Sequence, residues 1–152
     1  MPSIFHTSTP LAASAETMFA FHSDPHNLSH VMPPTMKVTK LETELPAKEG
    51  GYIKIHCRDW GFIPMHWICR WKTVQPPRLL VDEMIQGPFA IFVHEHRFDA
   101  DGPNRCIMHD TITYQWGSSW WGRIVSEIGV RLYLTILFCY RHHRTRKWVA
   151  QL

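Results

Sequence analysis

Several signatures are missing from this 152-residue chain, and each absence removes a class of function. No C-x-x-C spacing links Cys57, Cys69, Cys106 and Cys139, so neither a zinc ribbon nor a thioredoxin-type site is supported. Thiols isolated in separate segments are expected to be reduced and packed, which suits a cytoplasmic location. There is no Gly-rich phosphate loop, no G-x-S-x-G elbow and no pair of carboxylates with a clear acid–base division. The most apolar stretch, residues 124–140, is interrupted by Glu127 and Arg131 and is too polar for a membrane span. The N-terminus lacks a charged start followed by an apolar run, so no signal peptide is expected. Charge is scarce as well. The net charge is +3, and much of it sits in Arg141-His142-His143-Arg144-Thr145-Arg146-Lys147. The remainder is near neutral, which argues against a broad nucleic-acid face, and DNA is not an expected partner.

What the chain does have is rings: 7 Trp, 8 Phe, 4 Tyr and 11 His. Large aromatics in a chain of this size either fill a core or line a pocket. The length fits one domain, expected to span residues 1–152, with a core that needs no disulfide.

Local patterns point to an α+β fold. A β-branched and aromatic run at residues 3–8 reads as a first strand. Ser14 can cap a helix, although Thr17 stands where a full capping box has glutamate or glutamine. Asp24-Pro25 starts a second short helix, which Pro33-Pro34 ends. Strands are then expected over residues 36–41, 52–59, 63–74, 79–86, 90–99 and 105–114, punctuated by Gly50-Gly51, Gly61, Pro76-Pro77 and Gly87-Pro88. Asp101-Gly102-Pro103-Asn104 is a hairpin turn joining antiparallel neighbours. A long helix follows over residues 119–147, with Ile124, Val125, Ile128, Leu132, Ile136 and Cys139 recurring at helical spacing. Strand, two short helices, six strands and a long helix pack most simply as a curved antiparallel sheet of about seven strands wrapped round that helix.

That order, with Ala15-Glu16-Thr17-Met18-Phe19-Ala20-Phe21-His22, Asp24-Pro25, Asn27-Leu28, Pro33-Pro34, Gly50-Gly51, Pro64, Trp67, Pro76-Pro77, Asp82-Glu83, Gly87-Pro88-Phe89, His94-x-His96-x-Phe98, Asp110, Tyr114 and Phe138-x-Tyr140-Arg141, resembles the START-like (SRPBCC, polyketide cyclase-like) superfamily, and within it a bacterial ligand-binding branch. The resemblance covers nearly the whole chain. It implies the helix-grip fold and a hydrophobic cavity. Its members include binders, aromatase/cyclases and co-chaperone-like domains, so the fold alone does not choose a function.

Alternate residues of a strand share a face. If the 101–104 turn pairs its flanking strands, Phe98 falls near Met108, His96 near Asp110 and His94 near Ile112. One face then carries Phe92, His94, His96, Phe98, Met108, Asp110, Ile112 and Tyr114, apolar with a small polar centre; the other carries Val93, Glu95, Arg97, His109, Thr111 and Thr113 and suits solvent. A His96–Asp110 pair either orients an imidazole for ligand or acid–base work or simply satisfies itself inside the sheet. Trp67, Cys69 and Trp71 share a strand face, with Met65 extending it; Ile53, Ile55 and Cys57 do the same on the preceding strand, and these side chains either line the cavity or fill it. His94-x-His96 also has a spacing that reaches one metal, with Asp110 or His109 adding a ligand, but His109 faces away in this register. His22 is expected to be separated from His26 and His30 by the Asp24-Pro25 break, and His142-His143 lies in the basic tail. No metal and no cofactor are assigned.

The first expectation is a binder or carrier of a hydrophobic or aromatic small molecule. Affinity would come from Trp67, Trp71, Phe92, Phe98, Met108, Ile128 and Leu132, and orientation from His94, His96, Asp110 and Tyr114. The alternative is a cyclase-, dehydratase- or isomerase-type enzyme, with His96 as base, Tyr114 as acid and Asp110 orienting the base. A third reading is an interaction module. Trp116, Trp120 and Trp121 at the helix entrance would act as a gate or docking point unless buried against the sheet end, and the basic tail would touch membrane, RNA, protein or ribosome unless it is a solvated helix end.

Overall fold

The computed structural model describes residues 1–117 and 119–152. Strands β1 (Ser3–Leu11), β2 (Met36–Thr43), β3 (Tyr52–Asp59), β4 (Ile63–Gln75), β5 (Leu79–Gln86), β6 (Ile91–Ala100) and β7 (Cys106–Gln115) form one sheet in the order β1-β7-β6-β5-β4-β3-β2. Every neighbouring pair is antiparallel. The chain starts at one edge and crosses to the other through α1 (Ala15–Ser23), a 3₁₀ turn at Pro25–Asn27 and α2 (Leu28–Val31). It then meanders back strand by strand until β7 closes against β1.

Local chemistry accounts for the element boundaries. The Ser14 hydroxyl accepts from the Thr17 amide at 3.2 Å and starts α1, and the Asp24 carboxylate accepts from the His26 amide at 3.0 Å to start the turn after it. Gly102, at φ 114°, supplies the left-handed residue in the hairpin between β6 and β7. Register shifts leave Thr39 on β2 as an extra residue in the β2–β3 pair, and Ile85 on β5 and Lys72 on β4 as extra residues in the β4–β5 pair. Such bulges increase local twist and bend the sheet.

The long helix comes last. α3 (Trp120–Ile124), a π-helical segment at Val125–Val130 and α4 (Arg131–Val149) run on without a break in right-handed helical backbone. α4 lies against the inner face of the sheet, with Phe138 5.7 Å from Phe5 and 5.4 Å from His94, ring centre to ring centre. Two apolar clusters result. Met18, Phe19, Phe21, Leu80, Phe98 and Met108 anchor one, and Phe5, Phe92, Ile112, Val130, Leu134 and Phe138 anchor the other.

The helix presents the opposite face to the one its apolar spacing suggests. Ile124, Val125, Ile128, Leu132, Ile136 and Cys139 are exposed, with Ile128 at 69% and Leu132 at 62%. The buried stripe is Val130, Leu134, Phe138, His142, Thr145 and Val149. Leu132 and Leu134 are two positions apart, which is about 200° round a helix. The two stripes therefore share the same spacing on opposite sides, and periodicity alone cannot choose between them. Buried partners decide it: His142 reaches a sheet carboxylate, as described below, and Phe138 fits between Phe5 and His94.

Leu134→Ala is accordingly expected to destabilise by about 2–5 kcal/mol, the usual cost of truncating a buried leucine. Ile128→Gln and Leu132→Gln should each stay within about 0.5 kcal/mol, as surface changes do. Urea denaturation of the three variants checks both statements.

Candidate ligand-binding site

Where the two clusters fail to merge, a cavity of about 610 Å³ opens between sheet and helix. That is mid-range for small-molecule sites. Its walls are mainly apolar: Ile53, Ile55 and Cys57 from β3, Met65, Trp67, Cys69 and Trp71 from β4, Phe92 from β6, and Leu134 and Phe138 from α4. The aromatic side chains thus line the space and leave it open. Exposed lining residues Ile63, Pro64, Val125 and Tyr133 mark its mouth, between the tip of the β3–β4 hairpin and the helix.

One end of the cavity is polar, and a single carboxylate organises it. Asp110 on β7 is 1% exposed. Its Oδ1 accepts from His94 Nε2 at 3.1 Å, and its Oδ2 accepts from His142 Nε2 on α4 at 2.7 Å. His96 Nδ1 lies 2.7 Å from Oδ1 on a bent approach, an electrostatic contact rather than a well-formed hydrogen bond. The β6–β7 register produces this arrangement, because His96 stands directly opposite Asp110 and His94 opposite Ile112. Burial pushes the Asp110 carboxyl up, but His96, His142 and His94 together outweigh it and hold the group well below the usual carboxylate range.

The surrounding groups are shifted too. Burial holds the His94 imidazole below its ordinary value against the opposing pull of Asp110, and burial, then the neighbouring His94, does the same to His96. His22 sits on the same wall with its ring centre 4.9 Å from that of His96; burial and His96 bring it down to about 3. Asp82 on β5, opposite His94 across the strand pair, is raised by burial to about 6. Burial likewise lowers Arg141, whose guanidinium lies 4.9 Å from the Phe138 ring centre.

These positions sort the residues expected to bind ligand. Trp67, Trp71, Phe92, His94 and His96 line the cavity. Phe98 and Met108 do not: they lie on the right face of the sheet but inside the α1 cluster, with Phe98 6.2 Å from the Phe19 ring centre. Asp110 stands behind the histidines rather than in the wall. Tyr114 is also outside the cavity; its hydroxyl donates to the Ser126 carbonyl at 3.1 Å and ties β7 to the π-helical segment. Ile128 and Leu132 face outward.

Trp116 lines the cavity and packs edge-on against Phe89 at 5.2 Å, whereas Trp120 and Trp121 are each 62% exposed and stack on one another at 3.9 Å. Burial of these last two against the sheet end is thereby corrected. The basic tail is not wholly a solvated end either, since Arg141 and His142 turn inward.

Four residues of the site, His22, Asp82, Arg141 and His142, are not among those the sequence marks as ligand-binding. Two carried a usable signal. Leu80, Asp82 and Met84 alternate on one face of β5, and His142 continues the four-residue steps of Leu134 and Phe138.

Residues 11–133 match the family described as "Polyketide cyclase / dehydrase and lipid transport". The chain belongs to that family. No curated protein matches it. Among solved structures, norcoclaurine synthase from Thalictrum flavum is similar at 18% identity, with 100% of this chain and 88% of that one covered and a TM-score of 0.72. A START superfamily protein from Mycobacterium smegmatis is similar at 14% identity, with 97% of each chain covered and a TM-score of 0.73. Zhui aromatase/cyclase from a Streptomyces species is similar at 14% identity, with 98% and 92% covered and a TM-score of 0.70. The helix-grip fold is thereby shared, and the family encompasses ligand binding and cyclase-type chemistry. Among the described residues, no helix is long and apolar enough to cross a membrane.

The titrations make stability depend on pH in opposing ways. The rings of His22, His94 and His96 are held neutral in the fold, while the unfolded chain protonates them near about 6.5. Their contribution is complete above that value and is lost as the pH falls below it. Asp82 acts in reverse: its carboxyl is raised, so its contribution is full below the unfolded value and lost as pH rises through about 6. Asp82→Asn should therefore stabilise the chain near pH 8 by up to about 3 kcal/mol, and not near pH 4. Urea denaturation at both pH values, in chelator-containing buffer, checks this.

Proposed function

We propose that this chain binds a hydrophobic, ring-bearing small molecule that carries an anionic oxygen group, seating the ring among Trp67, Trp71, Phe92 and Phe138 and the oxygens at the Arg141 end. The observation that carries the reading is a set of unpartnered donors in an otherwise apolar cavity. The indole N–H groups of Trp67 and Trp71 are buried and make no hydrogen bond among the described residues. The Arg141 guanidinium lies along the Phe138 ring with no ion pair to any described carboxylate. An unmet buried donor costs about 1–3 kcal/mol, so an acceptor on the ligand would recover that energy at the indoles, and half-buried Arg141 adds a positive charge to the same cavity. Arg presents a planar fork suited to carboxylate-like groups. A norcoclaurine synthase of similar fold, seen with dopamine and hydroxybenzaldehyde, holds small aromatic molecules. On this reading the chain acts as a single-domain carrier, and His94 and His96 orient the bound molecule.

A second reading, an enzyme of cyclase, dehydratase or isomerase type, is supported by His96. With Nδ1 turned to Asp110, its other nitrogen is left free as a base. Tyr114 lies outside the cavity and cannot be the acid; Asp82 would take that role, its carboxyl already raised towards neutrality. Under this reading His96→Ala abolishes turnover while leaving ligand affinity nearly unchanged.

The binding reading is tested with two fluorescent probes that share the anilinonaphthalene ring system. 1-Anilinonaphthalene-8-sulfonate is anionic, and N-phenyl-1-naphthylamine is neutral. The sulfonate should bind more tightly, and Arg141→Met should weaken it at least about tenfold, the worth of one charged hydrogen bond, while the neutral probe shifts less than about twofold. Equal affinities, or an Arg141 variant that treats both probes alike, would sink the proposal.

A further inference from the structure

Asp82, His94 and His96 each offer one ligand atom, and the three atoms lie within 4.8 Å of one another at the polar end of the cavity. Asp110 sets how the two rings are turned. A carboxylate only accepts, so the nitrogens facing it, Nε2 of His94 and Nδ1 of His96, are the protonated ones. That leaves lone pairs on His94 Nδ1 and His96 Nε2. His94 Nδ1 stands 3.9 Å from Asp82 Oδ2, one acceptor opposite another with no donor between them.

We propose that Asp82, His94 and His96 form a binding site for a divalent transition metal ion of the zinc or ferrous class, with its remaining coordination positions open to the cavity. Two imidazoles and one carboxylate are the donor set such ions take, and are unlike the all-oxygen sets of calcium and magnesium. Bonds of about 2.0–2.2 Å to a tetrahedral ion place neighbouring ligand atoms roughly 3.3 Å apart. The 3.9 Å gap then needs to close by about half an ångström, and the widest separation in the triad, at most 4.8 Å, by up to about 1.5 Å. Asp110 stands where the outer carboxylate of a metal-bound histidine belongs: behind the ring, fixing its tautomer and raising its basicity. Metal binding at these three residues needs no organic ligand and can be measured without one.

The test must separate this site from a second histidine pair. His56 and His66 face each other on the outer surface of β3 and β4 with their Nδ1 atoms 2.7 Å apart, a place where added zinc or cobalt could also lodge. Chelator-stripped protein carrying His56→Ala and His66→Ala is titrated with Co²⁺ and followed by its visible d–d absorption, then competed with Zn²⁺. One equivalent of Co²⁺ per chain should bind in a low-symmetry site and be displaced by Zn²⁺. Asp82→Asn in that background, a substitution expected to leave the fold intact, should weaken binding at least tenfold. Loss of all binding with the His56 and His66 substitutions alone, or an unchanged Co²⁺ titration in Asp82→Asn, overturns the proposal. Circular dichroism of each variant shows that the chain being titrated is folded.

Discussion

One carboxylate holds the molecule's interior together. Asp110 is buried on β7 and meets two histidines of β6 and one of α4. A buried charge is a poor source of stability, because removing it from water costs about as much as its partners return. Its value lies in position. The His142 bond fixes α4 against the sheet at one point, and the contacts to His94 and His96 fix two rings at the end of the cavity. Losing any one partner would leave a charge or a polar nitrogen unmet, so the arrangement is cooperative.

The rest of the architecture can be followed outward from that point. β6 and β7 are joined by a tight hairpin that sets the His96–Asp110 register, and β5 adds Asp82 opposite His94. β3 and the bulged β4 supply the apolar wall, including the two tryptophans. The crossing segment α1 brings His22 onto the polar end, and α4 brings Arg141. Core packing is divided between two clusters, and the undivided space between them is the cavity. Polar groups placed inside such a space serve recognition better than they serve folding.

Much of this was legible in the sequence where the rule is local. Strand limits follow Gly and Pro punctuation, and the turn at 101–104 was enough to pair His96 with Asp110. Alternation names a face but not a depth, which is why Phe98, Met108 and Tyr114 lie on the expected side of the sheet but outside the cavity. The helix face was illegible because two stripes of equal spacing compete, and only contacts with Phe5, His94 and Asp110 select the inner one. Arg141 and His142 looked like part of a charged end, since nothing in a single sequence says that a basic run will turn inward. The family and its structural neighbours share the fold across enzymes and other proteins, so function has to be read from these particular side chains.

Asp110 is expected to fix the tautomers of His94 and His96 and so to leave one unprotonated nitrogen of each ring for the cavity. A long-range ¹H–¹⁵N spectrum of the imidazoles, recorded at neutral pH on chelator-stripped protein, reads those protons directly. A neutral Nε2–H ring at His94 and a neutral Nδ1–H ring at His96 are expected. An imidazolium at either residue, or the opposite tautomer at both, would contradict this role of Asp110.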